Sequence, residues 1–160
     1  MTRRARIAAL LHELDQRSPA GFALGLHIRF TTPTYMFQTY PKRWLEHYSA
    51  AGMVVRDPVV QWGMQNVGRT RWSDLEMIDD GGVLEQAKDF GLMNGAAIAT
   101  VVSGSRSIGG FARADREYEE SEIEELEEIL VRLHLATLGP GQLSERDQHV
   151  LTELSIKLTH

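Results

Sequence analysis

The chain has 160 residues, 42% of them hydrophobic, which suits one compact domain with its own core. It contains no cysteine, which excludes disulfides, zinc–thiolate sites and thiol catalysis and fits a reducing compartment. A formal net charge of -5 argues against a nucleic-acid-binding face, and no apolar run reaches the length of a signal-peptide core or a membrane span. A soluble, cytoplasmic protein with no membrane contact is expected.

Ile7, Leu10, Leu11 and Leu14 recur at helical spacing and predict an amphipathic helix over 3–16. Ser18-Pro19-Ala20-Gly21 ends it. Residues 22–30 read as a strand, 31–33 as a turn, and 34–39 as the second strand of a hairpin. Pro41 suits the first turn of a helix running to about 51, with Gly52 as its stop. Asp57-Pro58 reads as an N-cap followed by a first-turn proline, opening a helix that Gly68 should close.

Residues 79–82 form a loop, and 83–90 a helix with Gly91 near its end. Two strands, 96–102 and 107–114, flank a turn at 103–106. The helix at 117–136 has the strongest pattern. Ile123, Leu126, Leu130 and Leu133 form a stripe with Ile129 beside it, and eight glutamates lie between Glu117 and Glu128. That composition reads as a solvated acidic face over a core-facing stripe. This order of elements predicts an α+β fold, an antiparallel sheet with helices packed on its faces. Leu138-Gly139-Pro140-Gly141 is the clearest linker.

One constellation carries chemistry. Tyr40, Trp44 and Tyr48 follow one another at intervals of four, Asp57-Pro58 comes next, and Trp72 stands further on. Spacing by four puts Trp44 and Tyr48 on one helix face. Taken alone this is a core stripe; joined to a carboxylate and a second indole, it suits capture of a small amphipathic molecule. Apolar pockets draw specificity from a few placed polar groups. Asp57 also has a purely local role, since an Asp N-cap is worth about 1 kcal/mol with no ligand involved.

The joint spacing of Tyr40, Trp44, Tyr48, Asp57-Pro58 and Trp72, with Phe90-Gly91-Leu92 and Gly95 after them, resembles the ligand-binding domain of LuxR-type quorum-sensing regulators over residues 5–138. The resemblance implies an α-β-α sandwich with a central antiparallel sheet, similar to GAF and PAS sensor domains. It also implies a homodimer, with one flank of the 117–136 helix meeting a second subunit, and an N-acyl homoserine lactone as ligand.

In that reading Trp44 donates its indole N–H to the lactone carbonyl, Asp57 accepts from the amide N–H, and Tyr40 reaches the acyl carbonyl. Tyr48 walls the acyl chain and Trp72 the lactone ring. Gly91 and Gly95 are structural. The chain departs from the family at a late strand that often carries Ser or Thr toward the acyl amide. Here the equivalent is Gly110, Phe111 or Ala112, none with a hydroxyl, and a Phe there would take up pocket volume.

The domains expected are a sensor over 1–138, a linker over 139–142, and the start of a helix-turn-helix module over 143–160. Leu143 through Leu151 resembles the first helix of that module; a whole module needs more, so specific DNA binding is not expected of this chain. Two origins remain open, an excised sensor domain and a natural half-protein that pairs with and inhibits full-length regulators. No cofactor and no metal are expected.

An enzyme reading has little support. Ser105-Arg106-Ser107-Ile108-Gly109 lacks the first glycine of a nucleophile elbow and sits between strands. The six histidines (12, 27, 47, 134, 149 and 160) show no metal-binding spacing and are expected at the surface.

Overall fold

A computed structural model describes residues 2–139 and 143–151. Five strands, β1 (Gly21–Arg29), β2 (Thr32–Gln38), β3 (Gly68–Arg71), β4 (Asn94–Val102) and β5 (Ser105–Arg113), form one antiparallel sheet in the order β2-β1-β5-β4-β3. Helices α1 (Arg3–Gln16) and α5 (Glu120–Ala136) cover one face. The other carries α2 (Lys42–Ala50), α3 (Pro58–Gln65), α4 (Val83–Lys88) and two 3-10 turns, Met53–Arg56 and Trp72–Ile78. The expected α-β-α sandwich is observed.

Period-2 alternation sorts the strand residues between two cores. Phe22, Leu24, Leu26, Phe37, Ile98 and Phe111 pack under α1 and α5 with Leu11, Leu14, Leu126, Leu130 and Leu133. Burying one such side chain stabilises the fold by about 1.5–3 kcal/mol. Ala97 and Ala112 face the opposite way, toward Trp44, Met53, Trp72 and Leu84.

Three expectations need correction. Gly68 does not close α3, which ends at Gln65 with Asn66 as its C-cap; Gly68 opens β3 with φ +120°. Pro41 is the N-cap of α2, in extended conformation, rather than a first-turn residue. Two of the histidines are core residues. His27 is 8% exposed and His134 is fully buried, their rings 4.3 Å apart. A β-bulge between Gly25 and Ile28 gives His27 a φ of +52° and turns it toward α5.

There the ring Nδ1 pairs with Ser105 Oγ at 2.7 Å, and Nε2 lies 3.0 Å from His134 O and 2.9 Å from Thr137 Oγ1. His134 Nε2 faces Val102 O at 3.0 Å and its Nδ1 faces Ser107 Oγ at 2.7 Å. A carbonyl only accepts, so both rings carry their proton on Nε2 and accept a serine hydroxyl on Nδ1. Both rings are thus fully bonded while neutral.

The acidic face of α5 is only partly solvated. Arg69 of β3 reaches it, with ion pairs to Glu127 at 2.6 Å, Glu120 at 2.8 Å and Glu124 at 3.2 Å. After α5, residues 145–151 are helical. Gly139 of the expected linker has φ +98°, while 140–142 and 152–160 lie outside the described residues.

Candidate ligand-binding site

The helical face of the sheet that α1 and α5 leave uncovered holds a cavity of about 400 Å³. Its lining includes Tyr40, Trp44, Tyr48, Asp57 and Trp72, so the structure brings together all five residues singled out in the sequence. Each arrives from a different local device. Tyr40 leaves β2 and lies against Gly21, where a Cβ would stand 2.8 Å from the Tyr40 Cα; only glycine (φ +107° there) permits that approach. Trp44 and Tyr48 occupy successive turns of α2, their rings edge to face at 5.7 Å, and Phe90 closes on Trp44 at 5.3 Å.

Asp57 caps α3. Val59 N–H donates to its Oδ1 at 2.8 Å, and the Tyr48 hydroxyl donates to its Oδ2 at 2.7 Å. Tyr48 is therefore not a plain wall: it holds the carboxylate. Each carboxylate oxygen has two lone pairs, so Oδ2 keeps one acceptor position. Burial raises the Asp57 pKa, against the opposing pull of the Tyr48 and Val59 hydrogen bonds. Burial also raises the pKa of Tyr40 and Tyr48, with the Asp57 charge adding to both. The phenols are neutral donors at any physiological pH.

Trp72 opens the 3-10 turn after β3 and lies flat on Gly95, where a Cβ would meet the indole Cδ2 at 2.1 Å. Gly95 is structural, as expected, but its function is specific: it makes room for this cavity wall. Trp72 Nε1 is buried with no hydrogen-bond partner, a local cost of this packing.

The departure on the late strand now has an address. Gly110 lines the cavity with Ile108, whereas Phe111 points to the opposite face and packs on Phe22 at 6.4 Å. Phe111 therefore takes no pocket volume, contrary to the concern raised by the sequence. A Cβ on Gly110 would stand 3.1 Å from Tyr40 Oη, 3.6 Å from Val59 Cγ1 and 3.8 Å from Trp72 Cζ2. Gly110 thus faces Tyr40, Val59 and Trp72 across the cavity. The lining continues through Val60 and Met64, and on the β1–β2 side through Gly25, Pro33 and Met36, with Thr31 and Gln38 among them. Sequence reasoning did not single out these distal residues, because nothing in their local pattern separates a cavity wall from a core face.

Among the described residues no group of three or more acidic or histidine side chains could hold a metal, and no helix is long and apolar enough to cross a membrane.

A family model described as the autoinducer binding domain matches residues 20–138. The quorum-sensing regulator RhlR of Pseudomonas aeruginosa is 29% identical over 136 residues, covering 83% of this chain and 55% of its own. The chain thus spans about half the length of that relative. A structure of SdiA in complex with octanoyl-rac-glycerol superposes with a TM-score of 0.64 at 20% identity, covering 99% of this chain and 76% of that one; SdiA is a protein of Escherichia coli. CepR2 of Burkholderia cenocepacia, described as an N-acylhomoserine-lactone-dependent LuxR-family transcription factor, gives 0.56 at 16% identity over 85% of this chain and 94% of that one.

Proposed function

This chain belongs to the autoinducer-binding domain family of LuxR-type quorum-sensing regulators, a family of regulators rather than enzymes, and on that premise we propose that its ligand is an acyl chain on a hydrogen-bonding head, with an N-acyl homoserine lactone favoured. One observation carries the reading. Tyr40, Tyr48 and Asp57 place polar groups together on a cavity whose lining is otherwise largely apolar, with Val60, Met64, Pro33 and Met36 among it. An amphipathic molecule suits both kinds of surface.

In this reading Asp57 Oδ2 accepts the ligand amide N–H, Trp44 donates to the lactone carbonyl, and Tyr40 donates to the acyl carbonyl. Tyr48 positions Asp57 while walling the acyl chain, and Trp72 covers the ring. A glycerol ester, the type of molecule bound by SdiA, offers a hydroxyl where the lactone offers an amide, and could use the same acceptor. We also place the sensor at 1–138, the linker at 139–142, and the start of a helix-turn-helix module from 143. Homodimerisation, DNA binding through a complete module, and a cytoplasmic site of action belong to this proposal.

Thermal stability against lactones of graded chain length, with octanoyl glycerol as comparator, tests it, together with mass spectrometry of any co-purified molecule. Binding to the native state alone raises the melting temperature by mass action. A rise with one lactone length supports the reading. A rise with octanoyl glycerol alone would shift the head group to a hydroxyl donor, and no rise with any acylated molecule would refute it.

A further inference from the structure

Strand β2 is an edge strand and serves two structures at once. On its cavity side, Pro33 and Met36 form the distal wall, and Met36 Sδ stands 3.7 Å from where a Cβ on Gly25 would be. On its other side it holds the segment that follows α5. Leu143 N–H donates to Tyr35 Oη at 3.2 Å, and Met36 N–H donates to Gln148 Oε1 at 3.1 Å. Gln148 Nε2 ties back to Leu143 O at 3.5 Å. Leu151 is fully buried in the core under α1 and α5, Leu143 packs on the same core, and Arg4 reaches Asp147 at 3.9 Å.

An edge strand normally leaves a row of N–H groups unpaired. Here one of them, on Met36, whose side chain lines the cavity and is 41% exposed, is taken by Gln148 of the helix at 145–151. We infer that Met36 couples the two: a ligand tail long enough to reach the Gly25–Met36 end orders β2 and tightens the docking of residues 143–151. This rests on the reading that the cavity takes a tailed molecule.

The physical route is short. Filling the distal end gives Met36 and Pro33 packing partners and fixes the β2 backbone. A fixed Met36 N–H keeps Gln148 in place. Coupling is reciprocal, so docking of the segment must favour long tails by the same factor that long tails favour docking. A single hydrogen bond sets its scale at about fivefold. A short-tailed molecule that binds only at the polar groups leaves Met36 untouched.

Hydrogen exchange of the amides in 143–151, measured on the whole chain, tests this. Met36→Trp, which fills the distal end without any ligand, should slow exchange there about fivefold, and Met36→Ala, which enlarges it, should speed exchange by a similar factor. N-dodecanoyl homoserine lactone at saturation should slow exchange as Met36→Trp does, while N-butanoyl homoserine lactone should not. Gln148→Ala should abolish the difference between the two lactones and lower the dodecanoyl affinity by no more than the same fivefold. Unchanged exchange in both folded Met36 variants, or equal protection by both lactones, overturns the coupling. If calorimetry detects no lactone binding, the ligand reading fails, and the coupling is decided by the Met36 variants alone.

Discussion

Replacing Asp57 by Asn should move stability and binding in different directions. Asn and Asp are equivalent N-caps, and the retained Oδ1 still accepts from Val59 N–H at 2.8 Å, so α3 keeps its start. At the second position an amide N–H₂ replaces Oδ2. The Tyr48 hydroxyl, 2.7 Å away, turns from donor to acceptor, and one bond is exchanged for another. The charge-assisted part is lost, but so is the burial of a carboxylate, the larger influence on this group because its pKa is raised.

The ligand-free variant should therefore be as stable as wild type within about 1 kcal/mol, or more stable. Binding behaves otherwise. On the proposed reading, a ligand amide facing the carboxylate would meet another N–H in the variant, losing a charged hydrogen bond of about 1.5–3 kcal/mol, or roughly ten- to hundredfold in Kd. Urea unfolding without ligand and calorimetry with N-octanoyl homoserine lactone separate the two effects. Wild-type affinity in the folded variant refutes the assignment of Asp57 to the ligand. A loss of several kcal/mol without ligand would make Asp57 a structural cap first. The pH dependence follows the same logic: the folded chain holds this proton to higher pH than the unfolded chain, so stability declines as pH rises from the unfolded pKa through the raised one, and Asp57→Asn removes that slope.

Gly95→Ala drives a Cβ into the Trp72 indole, whose Cδ2 would lie 2.1 Å away; overpacking of about 1–3 kcal/mol should lower the melting temperature by roughly 2–12 °C, and an unchanged value would show that Trp72 relocates freely. Gly110→Ala should narrow the cavity beside Tyr40 and weaken binding of the proposed lactone about tenfold, with Gly110→Ser recovering about fivefold of that through its hydroxyl; equal Kd values for all three chains by calorimetry would remove Gly110 from the ligand path. The His27–His134 pair is neutral in the fold, its pKa values lowered chiefly by burial and, for His27, further by His134 and Arg3. Its contribution is fully present above pH 6.5 and is lost as pH falls below that, because the unfolded imidazoles take up protons that the folded pair resists; the urea midpoint should drop between pH 7 and 5.5, and should drop less in His134→Gln.

Legibility varied with how local each signal was. The helices at the two ends of the domain were readable because their apolar stripes sit at one period, and both long hairpins because turn residues separate β-rich runs. Strand β3 was not readable. Its sequence, Gly-Arg-Thr-Arg, has no apolar alternation; pairing with β4 makes it a strand, and Arg69 bonds outward to α5 rather than inward. The buried histidines were missed for a related reason. Residues 27 and 134 meet only because a bulge breaks the alternation of β1, and nothing near either residue announces the other. Five cavity residues could be named from the spacing they share with the LuxR-type ligand-binding domain. Their bonding could not, since the Tyr48–Asp57 contact depends on how the 3-10 turn at Met53–Arg56 folds back. Which of residues 110–112 faces the cavity is a question of register, where a one-residue slip inverts every side chain.

The sheet divides labour between its faces, and β5 states the rule in adjacent residues. Phe111 enters a closed core of leucines and isoleucines under α1 and α5, while Gly110 beside it contributes no side chain and leaves space. Stability can be held almost wholly by the first face. The second face can then keep a cavity, a buried carboxylate and an orphaned indole N–H, each a local cost, without unfolding the domain. A ligand that fills the cavity and meets the carboxylate recovers part of these costs only in the bound state. That difference between empty and filled states is the free energy available for signalling. It also explains why variants at Asp57 and Gly110 should alter affinity far more than folding, whereas truncating Leu126 or Phe111 on the opposite face should do the reverse.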